Sequence, residues 1–234
     1  MFSLKRFSVL LVMAVILVTA ASAQSGTQRE MTVEQSYLQE SMELMIIRET
    51  ARSTTREQKF IALSYISDAI GRGSTNDEIR QTLDYLSREG RRSVARENNR
   101  VVNNFPDIRR QSARLLGQMG TEEARQSLIE ILQYENEPAV LQEAIKSLGD
   151  IGSNDNNETV IHIAWVMNRF SNLNPDNLMA IATIDTFEKI ARKNGGINSP
   201  EAIRCLVLIS EGQYITPVRE RARQLLAELR TYNY

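Results

Sequence analysis

An apolar pattern that occurs five times constrains this chain more than any other feature. In residues 106–120, PDIRRQSARLLGQMG, the residues Ile108, Ser112, Leu115, Leu116 and Met119 fall at i, i+4, i+7, i+8 and i+11, one face of a helix. Shifted by 32 residues, the same positions read Val140, Ala144, Ser147, Leu148 and Ile151. A further 39 gives Met179, Thr183, Thr186, Phe187 and Ile190, and another 39 gives Val218, Ala222, Leu225, Leu226 and Leu229. Fifty residues before the first lie Gln58, Ala62, Tyr65, Ile66 and Ala69. Gln58 and the threonine pair fit imperfectly. Partner helices are expected between these segments, over 32–51, 76–90, 121–133, 156–170 and 199–211. Their core faces would be Leu38/Met42/Met45/Ile46 in the first and Ala202/Leu206/Ile209 in the last. One helix pair hides too little apolar surface to fold alone, so pairs at such a period must stack on their neighbours.

Proline placement supports the same partition. Pro106, Pro138, Pro175, Pro200 and Pro217 all fall where a helix should begin, and proline suits that position because its missing N–H would be unpaired there. Asn174, Ser199 and Thr216 precede three of them as expected caps, and Thr54 and Thr121 mark further starts. Gly120, Gly152 and Gly195 suit left-handed helix ends. Strand signals are nearly absent, with no Asn-Gly or Asp-Gly hairpin between β-branched runs. The expected fold is all-α, an α-α superhelix of about five helix pairs (32–71, 76–118, 121–152, 156–193 and 199–231).

The run PDIRRQSARLLGQMGTEEARQSLIEIL, followed by PAVLQEAIKSLGDIG, resembles the HEAT-like helical repeat family of PBS-lyase type. The resemblance covers about residues 55–230; armadillo-type and other helical repeats share its pattern. It implies a second helix, a turn, a first helix and the next second helix. The family often places a basic residue directly after the first apolar residue of the second helix. Here that position holds Lys59, Arg109, Leu141, Ala180 and Arg219, so no continuous ladder of buried polar pairs is expected. The resemblance also implies that second helices line an inner wall, which would set Arg110, Arg114 and Lys146 on one ridge.

Residues 1–23 read as a cleaved signal peptide: Lys5 and Arg6, an apolar run from Phe7 to Ala20, then Ala21-Ser22-Ala23. An uncleaved membrane anchor is the alternative. Residues 24–31 form a short linker and 32–231 the HEAT-like repeat domain. An exported chain of this kind is expected in the periplasm, or outside the cell. Lys and Arg number 28 against 29 Asp and Glu, a balance that gives no global pull towards nucleic acid, and none is expected as a partner. The single Cys205 cannot pair within its chain and reads as a packed apolar thiol.

Catalytic signals are weak. His162 is the only histidine, and without a Cys/His cluster neither a zinc site nor a His-based triad is supported. Gly71-Arg72-Gly73-Ser74 reads as a turn, Glu122/Glu123 as a helix start, and Asn157-Glu158-Thr159 as a chance match to a glycosylation acceptor. No cofactor, metal or catalytic residue is expected. One local bias stands out: Arg88, Arg91, Arg92, Arg96, Arg100, Arg109, Arg110 and Arg114 face only Glu89, Glu97 and Asp107. Guanidinium forks grip carboxylate or phosphate. The cluster is therefore a candidate docking patch, with a solvated helix extension carrying internal Glu–Arg pairs as the bland alternative. The candidate binding residues are Arg88, Arg91, Arg92, Arg96, Arg100, Arg110, Arg114 and Lys146. The expected function is a non-enzymatic exported scaffold or adaptor that binds a protein partner. The alternative is an anion-binding module for a polyanion, an envelope polymer or a membrane surface.

Overall fold

A computed structural model describes residues 32–171 and 175–232. The chain divides into two compact units, Met1–Glu40 and Ser41–Tyr234. The described part of the first is the opening of helix α1 (Val33–Arg52); the second holds the rest. The leader and linker expected over 1–31 lie outside the described residues.

After α1 come α2 (Arg56–Gly71), α3 (Asp77–Ser87), a small hairpin of β1 (Arg96–Glu97) and β2 (Arg100–Val101), α4 (Pro106–Met119) and α5 (Glu122–Tyr134). Then follow α6 (Pro138–Ile151), α7 (Glu158–Ser171), α8 (Asn177–Asn194), α9 (Pro200–Glu211) and α10 (Thr216–Leu229). From α2 onward the helices pack in two layers. The second helices α2, α4, α6, α8 and α10 contact one another in order, and so do the first helices α3, α5, α7 and α9. Within each pair the layers pack against each other. This is the all-α HEAT-like solenoid arrangement.

All template positions of α4, α6 and α8 are buried. Of the two threonines that fitted poorly, Thr186 has a partner, its Oγ1 donating to the Ile145 carbonyl of the neighbouring helix at 2.9 Å, whereas the Thr183 hydroxyl is buried without one. Polar atoms survive in a core when a partner is in reach. In α2 the register differs, because Gln58 and Tyr65 are exposed while Lys59 and Leu63 are buried.

Gly117 and Gly149 let the second helices approach closely. A Cβ on Gly117 would lie 2.5 Å from Ser147 Cβ, and one on Gly149 would lie 2.7 Å from Thr186 Oγ1 and 3.1 Å from Thr186 Cα. Gly120, Gly152 and Gly195 end their helices in the left-handed region, φ 67°, 69° and 72°.

Several local expectations change. The buried side of α1 is Ile47 and Ala51 with Leu44 packed on the core, while Leu38, Met42 and Met45 are exposed and Ile46 is half-buried. At the end of that side the buried Lys59 amine of α2 donates to the Ala51 carbonyl at 2.9 Å. Helix α3 ends at Ser87, not residue 90. Asp176, not Asn174, caps α8, accepting from Leu178 and Met179 amides; Asn174 lies outside the described residues. Ser199 and Thr121 cap as expected. Thr216 is already inside α10, and Thr55, not Thr54, flanks α2.

Candidate functional site

The arginine-rich stretch after α3 is not a helix extension. Gly90 adopts φ 71° and packs so closely on Asn103 and Asn104 that a Cβ there would lie 2.6 Å from backbone atoms of both. Asn103 ties the loop, accepting from Ala95 N at 2.9 Å and donating to Ser93 O at 2.8 Å. Asn98 and Asn99, both at positive φ (47° and 63°), turn the hairpin. Asparagine tolerates this region because its short side chain bonds locally, so an Asn-Asn pair does what Asn-Gly would do. The Glu–Arg pairs expected inside a helix are replaced by pairs across the fold.

The structure divides the candidate arginines between the two layers. Arg88 reaches Glu130 of α5 at 2.5 Å, and Arg92 lies 3.6 Å from the same carboxylate and 5.4 Å from the centre of the Tyr134 ring. Arg91 lies 3.4 Å from Glu135. Arg96 and Arg100 are exposed on the hairpin, Arg96 donating to the Asn99 carbonyl at 3.4 Å. Arg110, Arg114 and Lys146 are exposed on α4 and α6 in the other layer, Arg110 4.0 Å from Glu143. Among the described residues Arg100, Arg114 and Lys146 make no ion pair. Arg114 and Lys146 hold equivalent places on adjacent helices of this layer. They are separate from Arg88, Arg91 and Arg92.

Beneath the loop runs a connected set of buried charges. Lys59 Nζ pairs with Glu89 Oε2 at 2.9 Å. Arg109 donates to the Glu89 carbonyl at 3.2 Å, to Asn104 Oδ1 at 2.9 Å and to Glu135 Oε2 at 2.7 Å. Glu135 is fully buried, and its other oxygen accepts from the Asn136 and Glu137 amides at 2.8 and 2.9 Å. Lys59 and Arg109 hold the family's basic position. At the next two such positions Leu141 and Ala180 are buried and apolar, and the set stops.

Arg169 of α7 completes the centre, donating to the Glu135 carbonyl at 2.6 Å. Its guanidinium carbon lies 4.7 Å from the centre of the Trp165 ring and 4.8 Å from that of Phe170. Burial, with the nearby Arg91 charge, holds the Arg169 guanidinium below its usual basicity against the pull of Glu135. Arg109 and Arg91 thus meet the Glu135 carboxylate, and Arg169 its backbone carbonyl. Neither Arg169 nor Trp165 was among the sequence candidates. Their spacing of four on one helix is the signal that was there to find.

Residues 100–166, from β2 into α7, match the family model described as HEAT repeats. Over these residues the chain carries HEAT-like repeats. Curated proteins offer no match to it. HEAT repeats are commonly protein-interaction scaffolds and typically non-catalytic. The HEAT-like unit holds His162 half-buried on α7. Cys205 is buried, with its thiol pushed up to about 12 by desolvation, so it is poorly nucleophilic. Among the described residues no group of three or more His, Cys, Asp or Glu could hold a metal, and no helix is long and apolar enough to cross a membrane. In the would-be glycosylation acceptor, Asn157 donates to the Asn198 carbonyl at 2.8 Å and Thr159 is buried.

Proposed function

We propose that this HEAT-like chain is a non-enzymatic scaffold, exported to the periplasm, that holds a protein partner along its stacked helices. One observation carries the reading: two helix layers run in parallel order, so each layer offers a repeating exposed face that lengthens with every pair. Sequence adds the leader over 1–23, whose removal after Ala23 would make Gln24 the first residue of the mature chain.

The test is photo-crosslinking in intact cells from positions on both layers, Trp165 on the first helices and Arg114 on the second. The expected product is a covalent adduct with one protein from at least one layer, carried by a chain whose mass begins at Gln24. Absence of any protein adduct from either layer removes the scaffold reading.

A second reading is favoured by the exposed, unpaired Arg100, Arg114 and Lys146: an anion-binding module for an envelope polymer or membrane surface. Binding to such a polyanion falls steeply with added salt, whereas docking dominated by apolar contact does not.

A further inference from the structure

The second helices stack in the order α2, α4, α6, α8, α10, and an ion pair crosses every junction between them. Arg56 meets Asp107, Arg110 meets Glu143, Asp150 meets Lys189, and Asp185 and Glu188 meet Arg221. Helix starts meet starts (Arg110 with Glu143) and ends meet ends (Asp150 with Lys189), so neighbours run the same way. Between these charges a small residue nears the next backbone, Gly117 at Ser147 and Gly149 at Thr186.

Each end of this row leaves one face over. In α4, α6 and α8 the first template position and the one seven places on are buried. In α2 the same positions, Gln58 and Tyr65, are exposed, since among the described residues no second helix precedes it. Ile61 and Tyr65 stand one turn apart there, 43% and 39% exposed, on the side away from Arg56 and α4. Glu57 and Asp68, both exposed, flank them on the same side. An array stays soluble when its outer helices present polar faces; this one does not.

Helix α10 shows the complementary face. One, five and nine places after the first template position, α4 and α6 bury Arg109, Ala113 and Gly117, and Leu141, Ile145 and Gly149. The counterparts in α10 are Arg219, half-buried, and Arg223 and Ala227, both exposed; Arg230, also exposed, follows the helix end. Arg219 donates to Thr216 Oγ1 at 3.2 Å and Arg223 to the Ser210 carbonyl at 3.0 Å. No carboxylate among the described residues pairs with either.

We propose that the array continues from copy to copy, the free face of α10 in one chain packing on the free face of α2 in the next. The register inside the chain then sets Ala227 against Tyr65, as Gly117 is set against Ser147. Arg219 comes beside Glu57 at the helix starts and Arg230 beside Asp68 at the ends. Like faces repel, acid against acid or arginine against arginine, so the contact is head to tail and adds copies in a row or ring. The inference goes beyond the scaffold reading and does not rest on it.

Sedimentation of the full chain over a range of concentrations is the test. The mean mass is expected to climb through several species and to fall on adding salt. Arg230→Asp or Asp68→Arg weakens association roughly tenfold, one pair lost and a like-charge contact put in its place. A chain carrying both substitutions regains it. Ala227→Glu and Tyr65→Glu each give monomers with the parent's helical signal and melting curve. Mixed, these two form a one-to-one pair that grows no further, because only one intact face of each kind remains.

A mass of one chain at every soluble concentration overturns the proposal. So does a dimer that Tyr65→Glu abolishes and Ala227→Glu leaves intact, which is a two-fold contact of α2 faces, and so does a mixture of the two variants that stays monomeric. Crosslinking of a partner from Trp165 or Arg114 is decided separately, since neither position lies on the free face of α2 or α10.

Discussion

Glu135 shows how one residue can couple the layers. It sits in the loop between α5 and α6, yet it accepts from Arg109 of α4 through its side chain and from Arg169 of α7 through its carbonyl. The basic position that Lys59 and Arg109 occupy was legible from the repeat register. Their carboxylates were not, because Glu89 and Glu135 arrive from loops, where no periodicity marks them. A buried ion pair adds little over a well-packed apolar pair, but stripping one partner leaves the other charge buried and uncompensated. Arg109→Met should therefore destabilise the fold by about 3 kcal/mol, and adding Glu135→Gln should recover part of that loss, the sign of direct coupling. Urea denaturation of the two variants measures both. If Arg109→Met leaves the midpoint unmoved, the Asn136 and Glu137 amides with Arg91 already suffice to hold the carboxylate.

At the scale of the element, contact between second helices follows one rule. The residue nine places after the first template position of one helix meets the residue seven places after it in the next: Gly117 on Ser147, then Gly149 on Thr186. Small residues at both places bring the backbones together. The repeat pattern contained this, but glycines near a helix end were read only as terminators, which Gly120 and Gly152 are and Gly117 and Gly149 are not. The hairpin was missed for a related reason: asparagines tolerate the left-handed region, so a turn search confined to Asn-Gly and Asp-Gly passes over Asn98-Asn99. Gly117→Ala forces its new methyl against Ser147 Cβ and Cα, which lie on the facing helix and cannot swing away. The expected cost is about 1–3 kcal/mol, in the range for overpacking a close-packed interior. Ser147→Gly in the same chain should relieve most of it. Thermal melting of the single and double variants decides, and a Gly117→Ala chain as stable as the parent would mean that α4 and α6 separate at no cost.

For the molecule as a whole, the repeat register identified the helices and their order. It misplaced the arginines, since neighbours in sequence were assumed to be neighbours in space. In a two-layer array the chain passes from one layer to the other within a few residues, so Arg92 in the loop meets α5 while Arg110 lies on α4. An array also has a property that a closed core lacks: if every interface obeys the same register, a whole period can be removed and the flanking units still fit. Deleting Val140–Leu178 removes one such period of 39 residues and joins Ala139 to Met179. It keeps Arg109 with Glu135, sets Gly117 of α4 opposite Thr186 of α8, and offers the Thr186 hydroxyl the Ala113 carbonyl in place of that of Ile145. The local costs include the contacts Arg125 makes to Glu158 and Thr159, the bond from Arg169 to the Glu135 carbonyl and the Asp176 cap of α8. The shortened chain should keep a helical signal in proportion to its length and unfold in one cooperative transition at a lower temperature, by circular dichroism and calorimetry. Loss of cooperativity, or exposure of apolar surface to a reporter dye in the absence of denaturant, would show that α4 and α8 are not interchangeable neighbours. The second helices would then form a set of individually fitted interfaces and not a repeating one.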